Sequence, residues 1–178
     1  IVFSDGMSER VLRACHLVRE AGIAHPVILG QAGPIHEMLE RMDLPREGLD
    51  VLDPTSDERL ADYIQCYHEL RFRRGVNHSR AEHLLTTSPI HFALMMVRKG
   101  DADAAVLGLK TPYHDVIRPA IQMIGLDPSV KRLLGMSMLT DKRGRPLFFA
   151  DCLVNEDPDA EDLASIAIQA ADAVRACD

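Results

Sequence analysis

Apolar residues recur along this chain in two alternating rhythms. Short dense runs at Ile1–Phe3, Pro26–Leu29, Leu49–Leu52 and Ala104–Leu107 predict buried strands. Between them, apolar residues return every three or four positions and predict helices. Ser8–Glu20 places Val11, Leu12, Cys15 and Val18 on one face, with Ser8 as the N-cap. Pro34–Met42 carries proline in its first turn. Glu58–Arg73 stops at Gly75, a C′ glycine. Ser79–Thr86 has Ser79 and Glu82 in capping-box register. Pro89–Lys99 is apolar on nearly every side and therefore central, with Met95 and Met96 in the core and Gly100 at its end. Asp115–Ile124 forms the next helix.

This strand–helix alternation, running to about Gly125, implies an α/β fold with a parallel, doubly wound sheet. The texture then changes. Leu133–Leu139 and Pro146–Phe149 flank the polar turn Asp141-Lys142-Arg143-Gly144-Arg145 and read as an antiparallel hairpin. A final Ala-rich helix, Asp159–Cys177, starts at an Asp-Pro-Asp cap signal. The boundaries expected are residues 1–131 for a first domain and 132–178 for the beginning of a second. No internal repeat is visible. Apolar Ile1 and a last residue at a helix end predict a segment of a longer polypeptide, relying on neighbours to cover apolar surface.

Composition narrows the chemistry. With 178 residues, 47% of them apolar, a sizeable core is available; aromatics at 4% and no Trp make that core aliphatic. A formal charge of −7 with no broad basic face argues against nucleic acid. The short basic run Arg71-Phe72-Arg73-Arg74 fits a helix C-terminal turn. Cys15, Cys66, Cys152 and Cys177 form no Cys-x-x-Cys pair, so reduced, cytosolic thiols packed as small hydrophobes are expected. No signal peptide and no long apolar run support export or membrane insertion.

Candidate chemistry gathers after the fourth strand. Ligands of open α/β sheets sit at the carboxyl ends of strands, where loops and helix N-termini converge. There Gly108 opens into a turn bearing Lys110, Thr111, Tyr113, His114 and Asp115, with Arg118 one helical turn further on. The turn offers hydroxyls, an ammonium and helix N–H groups to an anion; a plain connecting loop is the alternative. Arg71 and Arg118 flank the presumed crevice, and two guanidiniums grip phosphate oxygens bidentately. Capping or surface arginines are the ordinary outcome of such spacing. The eight histidines show no metal-ligand spacing, so no metal site is expected. Ser4-Asp5-Gly6-Met7-Ser8 after the first strand carries one glycine, neither a dinucleotide fingerprint nor a P-loop.

The order IVFSDGMSERVLRA, GIAHPVILG, YHELRFRRGV, FALMMVRKGDADAAVLG, HDVIRPAIQMIG and LFFADCLVNEDPDAEDLASIAIQAA resembles the phosphate acetyl/butyryltransferase family along the whole chain. Within it, SERVLRA, RRGV, MMVRKGDADA and VNEDPDAEDLA are most similar to the C-terminal phosphotransacetylase-like domain of bacterial NADP-dependent malic enzymes. The resemblance implies a three-layer parallel sheet of the isocitrate/isopropylmalate dehydrogenase-like type and the start of a second domain. It also implies CoA or acetyl-CoA in the cleft and a homo-oligomer, at least a dimer. NADP and a divalent metal would belong only to an upstream catalytic domain. The family's arginines for phosphate and acyl substrates fall on Arg71 in Glu69-Leu70-Arg71 and on Arg118 in Ile117-Arg118-Pro119-Ala120.

Two departures from the family pattern matter. The family's catalytic serine, arginine and aspartate lie beyond Asp178, so a complete transferase site is not expected here. The turn Leu109-Lys110-Thr111-Pro112-Tyr113-His114-Asp115 is bulkier than the hydroxyl-rich turn of working transferases, and is expected to narrow the pocket. The resulting expectation is an acetyl-CoA-binding regulatory domain of a hybrid malic enzyme. A phosphate acetyltransferase is the alternative, and an interaction module with a vestigial cleft is a third reading.

Overall fold

The computed structural model describes residues 1–128, 130, 132–152 and 154–177. It divides into two compact units, Ile1–Gly125 and Leu126–Asp178. Lys131, where the sequence reading placed its domain boundary, lies outside the described residues.

The first unit follows the alternation of its apolar runs. Its strands are β1 (Val2–Phe3), β2 (Val27–Leu29), β3 (Asp50–Leu52) and β4 (Ala105–Val106). They form one sheet in the order β3-β2-β1-β4, with every pair parallel. Its helices are α1 (Glu9–Glu20), α2 (Ala32–Arg41), α3 (Leu60–Arg71), α4 (His78–Thr87), α5 (Pro89–Lys99) and α6 (Tyr113–Met123). Because successive strand side chains face opposite ways, the sheet feeds two separate apolar clusters. Val2 and Leu29 pack with α3, α4 and α5 on one face, whereas Phe3 and Ile28 pack with α1 and α2 on the other. Helices therefore cover both faces, and α5, whose Phe92–Met96 stretch is wholly buried, is the central one.

The second unit holds the hairpin β5 (Met136–Thr140) and β6 (Pro146–Ala150), paired antiparallel, and α7 (Ala160–Arg175). Asp159 accepts from the Asp162 N–H while the Asp162 carboxylate accepts from the Asp159 N–H, a full capping box. Among the described residues, no helix is long and apolar enough to cross a membrane.

Several expectations need correction. The α4 cap is Asn77, whose side chain accepts from the Arg80 N–H; Ser79 lies inside the helix. The fourth strand is shorter than Ala104–Leu107 and is not buried: β4 is a sheet edge, and Val106 is 50% exposed. The predicted helix Glu58–Arg73 starts two residues later, at Leu60, and tightens into a 3-10 turn at Phe72–Arg74 before Gly75 at φ 83°. The helix predicted over Asp115–Ile124 starts two residues earlier, so Tyr113 and His114 belong to the first turn of α6 and not to the preceding loop. Cys152 and Cys177 are exposed, so of the four thiols only Cys15 is a core residue.

Candidate functional site

The strand order contains one switch point. From β1 the chain winds outward to β2 and β3, then returns to place β4 on the other side of β1. Loops leaving β1 and β4 therefore diverge and leave a crevice beyond the strand ends, the usual ligand position in such sheets.

Each wall has a local cause. After β1 the backbone passes so close to β2 that a Cβ on Gly6 would lie 2.4 Å from the Leu29 carbonyl oxygen. Only glycine fits there. The preceding carboxylate, Asp5 Oδ2, accepts from the Ser4 hydroxyl at 3.0 Å and from the Leu109 N–H at 3.3 Å, linking the β1 and β4 loops. Gly108 turns the chain at φ 85°, with Val116 too close for a side chain. On the remaining side α4 gives way to α5 at Ser88, with Pro89 at the first helical position. The Ser88 hydroxyl lies 2.8 Å from His91 Nδ1.

These elements enclose a cleft of about 460 Å³. Ser4, Asp5, Thr87, Ser88, His91, Thr111 and Asp115 supply its polar lining, and Leu84, Pro89 and Ile90 its apolar lining. A second, largely apolar cleft of about 300 Å³ lies between α1 and β4, lined by Phe3, Val11, Ala14 and Val106–Leu109, with Asp5 and Arg10 as its charged members. Asp5 borders both. A polar compartment beside an apolar one suits a ligand with a hydrogen-bonding end and an aliphatic arm; the charged members of the polar lining are the carboxylates Asp5 and Asp115.

His91 is half-buried, and burial, with the Arg80 charge adding to it, pulls its pKa below the usual histidine range. The ring is therefore neutral at pH 7, with Nδ1 beside Ser88 and Nε2 without a protein partner among the described residues. It stands edge-on to Tyr67, ring centroids 5.9 Å apart.

The sequence-predicted residues are distributed around this cleft. Thr111 and Asp115 line it. Lys110, Tyr113 and His114 are exposed and do not; His114 Nε2 is 3.4 Å from the Asp115 carboxylate. Arg118 is exposed one turn beyond Asp115 on α6, on the same helical side. Arg71 is half-buried at the end of α3, one turn beyond Tyr67, and its Nε is buried without a hydrogen-bond partner. Neither arginine lines the cleft; each sits one helical turn from a residue that lines it or packs on its lining. Ser4, Asp5, Ser88 and His91 were missed by sequence reading. Asp5-Gly6 directly after a first strand carried a usable signal, since that loop borders any switch point beside β1. Among the described residues, no group of three or more His, Cys, Asp or Glu could hold a metal ion.

Comparison with known proteins adds relatives. The family model described as phosphate acetyl/butaryl transferase matches residues 1–178. A phosphate acetyltransferase of Nitratidesulfovibrio vulgaris is 34% identical over 175 residues, covering 98% of this chain and 25% of that protein. An NAD-dependent malic enzyme of Rhizobium meliloti is 33% identical over 178 residues, covering 98% and 23%. The solved structure of a phosphotransacetylase from Streptococcus pyogenes superposes with a TM-score of 0.86 at 29% identity, covering 94% of this chain and 51% of that one. The chain thus spans between a quarter and about half the length of these relatives.

Proposed function

We infer the function from one premise: the chain belongs to the phosphate acetyl/butaryl transferase family, matched over residues 1–178, and is a phosphotransacetylase-like domain akin both to phosphate acetyltransferases and to malic enzymes. We propose that the β1–β4 crevice binds acetyl-CoA and that the domain regulates a hybrid malic enzyme, which oxidatively decarboxylates malate to pyruvate. In this reading the polar cleft takes the acyl and phosphate end, the neighbouring apolar cleft takes an aliphatic arm, and Arg71 and Arg118 hold anionic oxygens. The observation that carries it is the state of those arginines: Arg71 Nε is buried and unpartnered, and neither guanidinium has an ion-pair partner among the described residues. A buried donor without a partner costs free energy that an anionic ligand recovers. A fold of the isocitrate/isopropylmalate dehydrogenase-like type, in which residues 126–178 begin a second domain, a dimer as the unit and a cytoplasmic setting belong to the same proposal.

A specific observation favours the second reading, turnover as a phosphate acetyltransferase. Pro112 and Tyr113 stand outside the cleft lining, to which the same turn contributes Thr111 and Asp115, which supports a cleft still open to substrates. CoA thiolate would then attack the acetyl carbonyl of acetyl phosphate, with guanidiniums stabilising charge on the carbonyl oxygen and the leaving phosphate.

Malate decarboxylation by the full-length protein, with and without acetyl-CoA, separates the two. The regulatory reading expects acetyl-CoA to change the rate, and Arg118→Ala to weaken that response about 10-fold or more, the cost of a charge-assisted contact. An unresponsive wild type ends that reading. Robust acetyl-CoA formation from acetyl phosphate and CoA selects the transferase instead.

A further inference from the structure

Ser88, at the junction of α4 and α5, serves His91 twice. Its hydroxyl oxygen accepts from the His91 N–H at 3.5 Å and lies 2.8 Å from His91 Nδ1. A hydroxyl has a proton of its own to donate, and Nδ1 is the acceptor it meets among the described residues. A neutral imidazole that accepts at one nitrogen carries its hydrogen on the other, so His91 is the Nε2–H tautomer. The lowered pKa keeps the ring in that neutral form at pH 7. Tyr67 fixes the ring from a second side. It is only 2% exposed, and the imidazole stands edge-on to it at an interplanar angle of 87°. A rotation of the imidazole would lose the Ser88 bond or the Tyr67 contact. Nε2 has no protein partner among the described residues and is not sealed away from solvent. It is therefore a fixed N–H donor on the wall of the cleft.

The rest of the lining selects what that donor meets. Asp5 and Asp115 are its charged members, and an anion placed beside them is repelled. The Ser4 hydroxyl already donates to Asp5. An uncharged oxygen acceptor, a carbonyl, suits the His91 N–H in this company, whereas phosphate oxygens belong toward the arginines.

We propose that His91, held in its tautomer by Ser88, donates its Nε2 hydrogen to the acyl carbonyl oxygen of a bound thioester, so that the cleft distinguishes a ligand bearing that carbonyl from one lacking it. The contact rests on the acetyl-CoA reading given above and assigns, within it, the residue that reads the acyl group. Ser88 is a positioning residue that acts through His91.

The test is calorimetric binding of acetyl-CoA and of S-ethyl-CoA, in which a methylene replaces the carbonyl, to the full-length protein. Wild type is expected to prefer acetyl-CoA about 5-fold, the worth of one neutral hydrogen bond. His91→Asn keeps an amide near Ser88 but puts nothing at the Nε2 position, and should bring the ratio of the two affinities close to one. His91→Gln reaches that position with an amide N–H and should keep most of the preference. The ratio compares two ligands on the same folded protein, so a variant that is partly unfolded still reports it. Ser88→Ala should lower the preference about 2-fold to 3-fold and Ser88→Thr, which restores the hydroxyl, should recover it; a purely structural role for Ser88 would leave the ratio unmoved. Wild type that binds both ligands equally, or His91→Asn with the wild-type ratio, overturns the contact while leaving acetyl-CoA binding intact. A preference lost as fully in His91→Gln as in His91→Asn would assign it to the shape of the ring and overturn the donor role. Wild type that binds neither ligand would bring down the acetyl-CoA reading itself, and this contact with it.

Discussion

Asp57 shows how much a single carboxylate does near the start of α3. It accepts from Arg59 Nε and Nη2, each at 2.8 Å, and from the Arg59 N–H at 2.9 Å, while its own side chain is 9% exposed. The Arg59 bonds hold its pKa below the usual carboxylate range despite burial. A depressed folded-state pKa stabilises the fold fully above the unfolded value of about 3.9 and ceases to do so as pH falls through the lower folded value. Asp57→Asn should therefore cost about 1–2 kcal/mol at pH 7. In urea titrations at falling pH, the gap from wild type should close only in the acid range; a gap that is constant down to pH 2 would rule out this charge pair. Burial also pushes the Cys15 thiol up to about 12, leaving it a packing residue rather than a nucleophile. At this scale the sequence was partly legible. Met95, Met96 and Cys15 announced their burial through helical spacing, whereas His91 could not announce its place in the cleft. That place comes from a cap partner three residues away, an edge contact to α3 and a shared wall with the β4 loop, which spacing does not encode.

Helices were easier to read than their ends. Pro89–Lys99 emerges residue for residue, because proline at the first turn and Gly100 at φ 80° are strong physical stops. The α4 start was misread because Ser79 and Glu82 mimic a capping box. The true cap, Asn77, earns its position from extended backbone (φ −87°, ψ 171°) and a bond to the Arg80 N–H. Asn77→Ala should accordingly lower stability by about 1 kcal/mol, with Ser79→Ala nearly neutral in the same denaturant series. Equal effects would mean the cap is wrongly assigned. The fourth strand was misjudged for a related reason. An Ala-Ala-Val-Leu run looks buried in isolation, but position in the sheet decides burial, and β4 lies at an edge with Val106 half in solvent. Likewise, the turn before α6 is shorter than its polar residues suggested, because the helix begins at Tyr113 and absorbs His114.

The two compact units differ in how they are held together. The first contains both large apolar clusters, with α5 buried over five consecutive positions. In the second, every β5 side chain is exposed and β6 has only Phe148 half-buried; Met138, Leu139 and Phe149 are open to solvent. Amide exchange should separate them, with α5 and β2 amides exchanging at least about 100-fold more slowly than those of the hairpin. Uniform protection across residues 1–177 would show that the hairpin is covered in solution. The parallel order of the sheet was legible from alternating strands and helices, and the crevice followed from it. The lining did not, since it is assembled from three chain segments far apart in sequence. Asp5 carries a consequence at this scale. By reaching from the β1 loop to the Leu109 amide, it sutures the two lips of the mouth. A guest that drew this carboxylate away would slacken the stretch leading into α6, and the gape of the opening would then be set jointly by the host and its visitor.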